Sequence, residues 1–419
     1  SGRSPLGAVW PLAQAILDEL ATLNTVGAVS AAGSLRRMRD TIGDIDLLVA
    51  AAPEQADAVM AHFRHLPQVH EVLVSGVTKT AIRTFDGFQV DLRVLEPARW
   101  GTALQYFTGS QAHNVRLRER ARQQGLSLSE NSFKLDDGAK ILCADEAKVY
   151  TRLGLPWIPP ELREDRGEFD RPLPELIAPA DLRGDLQMHS TWSDGENTII
   201  ELAQDALARG LDYILITDHS QSLGIAGGLS VEELRRQRNE IKAVNEQMDG
   251  QIRVLAGVES EIKSDGSLDY PDEVLAELDI VLASLHSGLR GGREKTTERM
   301  RAAIRNPYVD IIAHPTGRLI GQREGADLDM DAIFKTAAET DTALEINADY
   351  RRLDLSAVHA RRAVELGVKL TIGSDAHAAG GVGVLDYGVA TARRGWVMAV
   401  DVINTWPLGQ VLAWAKRSR

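Results

Sequence analysis

Residues 212–219 read DYILITDH, a short apolar run that closes on an aspartate and a histidine. Such a run reads as a buried strand with side chains capable of chemistry at its end. The phrase returns along the second part of the chain: IRVLAGV before Glu259, IVLASL before His286, VDIIA before His314, ALEI before Asn347, and VKLTIGS before Asp375 and His377. Helical segments intervene. One opens at Ser230 with Glu233 three places on, a capping box, and another runs from Ser356 to a stop at Gly367. Strands alternating with helices imply a parallel sheet, and barrel-type α/β folds gather their functional groups at the C-terminal ends of such strands. The rhythm is architectural, without the letter-by-letter repeat of a solenoid.

Six histidines lie beyond residue 183, and five of them, His189, His219, His286, His314 and His377, stand at or just past the end of an apolar run. A single histidine in such a place is ordinarily a packed or loop residue. Five, joined by Asp194, Glu259 and Asp375 at equivalent strand ends, form a set of ionisable groups that would be costly to bury without partners. Divalent ions remove that cost by neutralising the carboxylates and keeping the imidazoles deprotonated. Nitrogen and oxygen ligation without thiolate suits Mn²⁺ or Zn²⁺. The only cysteine, Cys143, permits neither an internal disulfide nor a thiolate cage.

In order, HSTWSDG, TDHS, GVES, SLHSG, AHPTG and GSDAH resemble the motifs of the PHP family, the polymerase and histidinol phosphatase domain, over residues 184 to about 380. The resemblance implies a distorted seven-stranded (β/α) barrel with a three-metal phosphoesterase site. Its metal ligands would be His189, Asp194, His219, Glu259, His286, His314, Asp375 and His377. One position departs: the family's first motif is commonly His-x-His, and its first member here is Gln187, a neutral amide and a poor ligand for a transition metal. The expectation is two or three Mn²⁺ or Zn²⁺ ions, one held more weakly than the others. A barrel kept only as a scaffold, in a module that binds DNA ends, is the alternative that Gln187 raises.

The first part of the chain carries a different pattern. Residues 33–49 read GSLRRMRDTIGDIDLLV. With residues 45–51 as a strand, Asp44 and Asp46 point to one face at its entrance. Asp91, in QVDLRV, can join them from a hairpin strand that is paired with KTAIRT across Asp86-Gly87. Three clustered carboxylates repel one another unless cations lie between them, which suggests two Mg²⁺ ions and in-line phosphoryl transfer. Gly33-Ser34 lets backbone N–H groups and a hydroxyl approach phosphate oxygens, with Arg37 supplying charge.

This combination looks like the nucleotidyltransferase superfamily. Residues 106–125, YFTGSQAHNVRLRERARQQG, resemble the join between palm and thumb in family X DNA polymerases, and residues 152–168, RLGLPWIPPELREDRGE, resemble the connection to a fused PHP domain in their bacterial members. The resemblance implies that Asp44, Asp46 and Asp91 are catalytic and hold two Mg²⁺ or Mn²⁺ ions, while Gly33, Ser34 and Arg37 hold the triphosphate of a dNTP. Tyr106 and Phe107 would flank the sugar, Gly109 would form the turn to the thumb, and Asn114 and Arg118 would lie along the minor groove. By spacing alone, Asn114, Arg118 and Arg122 share one helix face and Arg116 and Arg120 a second stripe. Arg120 and Arg122 read equally as a solvated basic face, and the aromatic pair as core.

The chain has 419 residues with 47 Lys+Arg against 60 Asp+Glu, a net charge of −13. The first 160 residues hold 17 of each sign, so the excess acid lies in the second part, as expected for two domains with different tasks. Between Pro156 and Asp181, six of the fifteen prolines fall in a stretch without apolar period. The organisation expected is α/β: a small mixed-sheet palm at 1–105, a thumb at 106–155, a linker at 156–183 and the barrel at 184–419. No run of about 18 apolar residues and no signal-peptide pattern is present, so a cytoplasmic protein without membrane contact is expected. Residues 1–30 resemble neither the lyase-like domain nor the helix-hairpin-helix elements that usually precede the palm, so weak binding of gapped DNA is expected. The functional expectation is a DNA repair polymerase that adds dNTPs to a primer 3′ end, with a barrel acting as a Mn²⁺-dependent 3′-5′ exonuclease or 3′-end phosphoesterase. A phosphatase of small molecules is a further alternative, one that leaves the Gly33-to-Asp91 constellation unexplained.

Overall fold

The computed structural model describes residues 2–378 and 380–415, and it divides into two compact units, Ser1–Leu173 and Pro174–Arg419. In the first unit, strands β1 (Val26–Ala31), β2 (Ile45–Ala51), β3 (Val69–Ser75), β4 (Lys79–Thr84) and β5 (Gln89–Leu95) form a mixed sheet in the order β1-β2-β5-β4-β3. Only β2 and β5 run parallel, in a register that sets Asp46 directly opposite Asp91. The β4–β5 hairpin turns at Asp86-Gly87, where Gly87 takes a φ of +86°. Helix α1 (Leu6–Ala21) buries Leu6, Val9, Ala13, Ile16, Leu17 and Leu20 along one face.

Beyond the sheet, helix Trp100–Thr108 ends at Gly109, and helix Gln111–Gln123 starts under a Ser110 cap and ends before Gly125 at φ +71°. A small three-stranded sheet and helix Glu146–Arg152 complete this part. The boundary expected near residue 183 falls instead between Leu173 and Pro174, and the first half of the expected linker is built into the first unit. Ile158 and Leu162 are buried there, and so is the whole of Arg163. Its proline-rich composition comes from a strap with a fixed backbone. Three of its charged side chains turn inward and each meets a partner: Arg163 and Glu146 at 2.7 Å, Glu168 and His113 at 2.8 Å, Glu164 and Arg37 at 3.0 Å.

The second unit is a barrel of seven parallel strands joined in sequence order: β6 (Gly184–Met188), β7 (Tyr213–Ile216), β8 (Arg253–Glu261), β9 (Ile280–Ser284), β10 (Ile311–Ile312), β11 (Ala343–Asn347) and β12 (Leu370–Gly373). Closure comes just past the ends of β6 and β12, where Asp375 N donates to Gln187 O at 3.0 Å and His189 N to Ala376 O at 2.8 Å. Alternate strand residues sort into two apolar clusters, as the two-residue period of a strand requires. Ile214, Ile216, Val254 and Val281 pack with the outer helices, while Leu186, Tyr213, Leu215, Leu255 and Leu282 pack with Val411 and Trp414 of helix Leu408–Ala415. Tyr213 and Arg183, at the strand entrances, are tied to the backbone of Asn404 and Trp406. The C-terminal segment thus covers the N-terminal end of the barrel and leaves the other end for polar residues. No helix among the described residues is long and apolar enough to cross a membrane.

Candidate functional sites

At the C-terminal end of the barrel, Glu259 is the focus. Its Oε1 lies 2.7 Å from His314 Nε2 and 3.1 Å from His286 Nε2, and its Oε2 lies 3.3 Å from His189 Nε2 and 3.5 Å from His219 Nδ1. Asp375 Oδ1 stands 3.0 Å from His189 Nε2, and Asp194 reaches His377 at 3.3 Å and His219 at 3.4 Å. All eight residues expected as ligands therefore meet in one place. Seven of them form three overlapping groups, His189–Asp194–His219–His377, His219–Glu259–His286 and His189–Glu259–Asp375, with the ligand atoms of each within 4.8 Å of one another, and His314 joins through Glu259.

The donor set fits cations. Both ring nitrogens of His189 and of His314, Nδ1 of His219 and Oε1 of Glu259 are buried without a hydrogen bond. Close approach without alignment leaves these atoms unsatisfied, which a buried site tolerates when an ion supplies the missing partner. Electrostatics agree: burial disfavours the imidazolium of His286, yet Glu259 and Glu261 outweigh it and push its pKa up to about 10. Burial likewise opposes ionisation of Asp194 and Asp375, yet their histidines hold both well below the usual carboxylate range. His314 and Asp375 also adopt left-handed backbone, φ +66° and +55°, which residues with a Cβ accept only where the surroundings impose it.

Supporting residues that spacing did not reveal surround this cluster. Glu261, two residues past Glu259 on β8, accepts from His286 Nδ1 at 2.7 Å and so fixes its ring and tautomer. Asp218 accepts from Ser190 N at 2.8 Å, from Ser190 Oγ at 2.6 Å and from Gln237, anchoring the loop that carries Asp194. Gln187 is fully buried, and its Nε2 donates to Glu259 Oε2 at 3.1 Å and Asp375 Oδ1 at 3.3 Å. In place of a ligand the chain has a donor that holds two ligands apart. Asn347 does the same for the other oxygen of Asp375, at 3.1 Å.

In the first unit, Asp46 and Asp91 face each other across β2 and β5, and exposed Asp44 stands just before β2. Burial, then Asp91, then Asp44 raise the pKa of Asp46 to about 6. Lys79 Nζ and Gln89 Nε2 each approach Asp91 at 2.9 Å. Gly33 has a φ of +58°, and a Cβ there would meet Asp46 Oδ2 at 2.5 Å, so only glycine lets the Gly33-Ser34 backbone pass this close to the carboxylates.

The remaining expected residues lie around this sheet in different states. Arg37 is buried and committed internally, to Glu164 at 3.0 Å and Thr108 O at 2.6 Å. Phe107 packs on Leu48 and Leu95 beneath the guanidinium of Arg93, 4.5 Å away, with Tyr106 edge-on at 5.1 Å. Asn114 accepts from Gln105 and donates to Tyr106 O, at 2.7 and 2.8 Å, which ties the two helices together across Gly109. Arg118 is exposed, whereas Arg116 is paired with Asp165 and Asp170 of the strap. No local pattern marks these ties, since the partners stand 49 and 54 residues apart.

One chain thus holds a carboxylate site on a mixed sheet and an imidazole-rich site at the end of a parallel barrel. Residues 103–164 match the DNA polymerase beta thumb family and residues 185–349 the PHP domain family. The DNA polymerase/3'-5' exonuclease PolX of Bacillus subtilis (strain 168) is 40% identical over 421 residues, covering 99% of this chain and 73% of that protein. The second unit also resembles proteins named probable phosphatase. One, from Caldanaerobacter subterraneus, is 34% identical over 200 residues, 45% of this chain and 74% of the relative. Another, from Thermoanaerobacter sp. (strain X514), is 31% identical over 233 residues, 53% and 89% respectively. The chain belongs to the family X DNA polymerases that carry a PHP domain.

Proposed function

We propose that the first unit adds dNTPs to a primer 3′ end, as in gap filling during DNA repair, and that the barrel hydrolyses phosphodiesters at DNA 3′ ends as a Mn²⁺-dependent 3′-5′ exonuclease or 3′-end phosphoesterase. The enzyme would work in the cytoplasm. The observation that carries this reading is the meeting of four imidazoles on the one carboxylate of Glu259. Asp44, Asp46 and Asp91 would hold Mg²⁺ or Mn²⁺ in the first unit. His189, Asp194, His219, Glu259, His286, His314, Asp375 and His377 would hold two or three Mn²⁺ or Zn²⁺ ions in the barrel. Bound there, the ions would stabilise charge developing on the phosphate and make a water more acidic.

The chain's own groups do the rest. Gly33 and Ser34 present backbone N–H groups and a hydroxyl to the triphosphate. Asp91, oriented by Lys79 and Gln89, is placed to take the proton of the primer hydroxyl. Tyr106 and Phe107 border the sugar, Asn114 keeps their helix in line with the next, and exposed Arg118 faces the DNA. The palm is assigned to residues 1–105, and the thumb extends from 106 through the strap.

Replacing Asp44 and Asp46 by Ala is expected to abolish nucleotide incorporation and to leave hydrolysis of single-stranded DNA intact. Loss of both activities would refute independent sites. A barrel that acts on small phosphomonoesters is the second reading, favoured by the relatives named probable phosphatase. Comparing an oligonucleotide with a sugar or amino-alcohol phosphate decides between them.

A further inference from the structure

Two loops at the open end of the barrel are locked into one platform. Asp354, fully buried, accepts from Thr316 N at 3.1 Å, Thr316 Oγ1 at 2.9 Å and Gly317 N at 2.9 Å. From the other side, Ile320 N donates to Arg351 O at 2.7 Å and Arg318 Nε to Arg352 O at 2.7 Å. Leu353 holds a left-handed φ of +41° between them. Five cross-links over so few residues make residues 314–323 and 351–354 a rigid unit, an investment that packing alone does not require.

This platform carries cations beside the metal cluster. Arg352 Nε lies 3.8 Å from Asp375 Oδ2, and its side chain is only 18% exposed. Among the described residues its guanidinium makes no hydrogen bond at all, although it offers five donors. A second cation, Arg323, spends two donors on Gly317 O at 3.1 and 2.7 Å, and burial together with the nearness of Arg352 makes its charged form harder to keep. Two guanidiniums near each other, one without a hydrogen-bonded acceptor, are matched by an anion that can accept from both, such as a phosphate.

We propose that the platform seats a backbone phosphate of the DNA strand whose 3′ end lies at the metal cluster, with Arg352 and Arg323 as its positioning residues. The proposal deepens the hydrolytic reading of the barrel and rests on it. Arg352 is the inner contact, since it touches a residue of the cluster, and Arg323 the outer. A small phosphomonoester reaches the cluster without a second phosphate to place here, so the platform favours polynucleotides.

The test compares the full chain with Arg352→Ala, Arg352→Lys and Arg323→Ala on two substrates, a single-stranded oligonucleotide and p-nitrophenyl phosphate, with metal content measured on each protein. The ratio of kcat/KM on the oligonucleotide to that on the small ester is expected to fall about tenfold or more for Arg352→Ala, through KM, with Arg352→Lys recovering part of it. Arg323→Ala is expected to lower the ratio less and to reduce the salt dependence of the oligonucleotide KM by about one phosphate's worth of slope. An unchanged ratio overturns the proposal, whether both activities persist or both fall together. Loss of metal from Arg352→Ala also overturns it, because Arg352 would then serve only to brace Asp375. Wild-type protein that holds its metal and cleaves the small ester but not DNA refutes the hydrolytic reading itself.

Discussion

The two sites solve the same problem, carboxylates crowded together, in opposite ways. In the barrel, Glu259 is 1% exposed and all the cation partners are imidazoles already in position. In the first unit, the three carboxylates sit partly exposed near the starts of the inner strands β2 and β5, Asp46 holds a proton up to about pH 6, and Lys79 stands in as the counter-charge of Asp91. The barrel brings its histidines and carboxylates together in the folded chain itself. In the first unit, burial and the neighbouring carboxylates instead keep Asp46 hard to ionise.

The largest effects should separate the two. Glu259→Gln is expected to strip most metal from the protein and to reduce DNA hydrolysis at least a hundred- to a thousandfold, roughly the scale of removing a central charge stabiliser, while nucleotide incorporation stays within about twofold. Metal analysis and paired activity assays check it, and full metal content in the variant would break the contrast. Chelation at neutral pH is expected to lower the melting temperature of the barrel by several degrees, because ions bound about a thousandfold above their dissociation constant contribute about 4 kcal/mol. The first unit should barely respond.

The strap supplies the next effect. Arg163→Met leaves buried Glu146 with one guanidinium fewer, and breaking such a buried pair costs about 3–5 kcal/mol; Glu168→Gln weakens the hydrogen bond from His113, whose charged form burial disfavours, and costs about 1.5–3 kcal/mol. Denaturant unfolding should show that loss in the first unit only. A pH series sharpens the comparison further. Because the carboxyl of Asp46 in the folded unit titrates near 6, above its ordinary 3.8, the folded state binds that proton more tightly than the unfolded chain. The stability it contributes is complete below about pH 4 and is lost as pH rises through 6, by at most about 3 kcal/mol without ions. Asp46→Asn should flatten this slope, and Mg²⁺ at pH 8 should restore wild-type stability. The smallest effect is Gln187→His, expected to add metal to the barrel by less than one ion per chain, measured by titration.

The barrel and the meeting of its histidines and carboxylates were legible because strands of a parallel sheet are written as apolar runs, and the residue after each run has one place to go. Asp46 and Asp91 were legible for a related reason, a hairpin whose turn fixes register. The strap was not. Its prolines and alternating charges look the same whether solvated or buried, and the partners that decide between the two, His113 for Glu168 and Arg37 for Glu164, stand 55 and 127 residues away. Arg37 was misjudged with it: the charge expected to face a triphosphate is held by a glutamate that composition had assigned to a linker. Glu261 was missed, and Asp218 was read as a strand-end group without its part in anchoring a loop, because contacts with other side chains and loops exist only once the chain is folded.

The strap also decides where the chain can be cut. A fragment ended at residue 155, where the thumb looks complete by composition, would take Glu164 from Arg37, Glu168 from His113 and one of the two guanidiniums from Glu146. Anyone expressing the nucleotidyl-transferring half by itself should carry the chain to residue 173, and one amputated earlier should emerge insoluble.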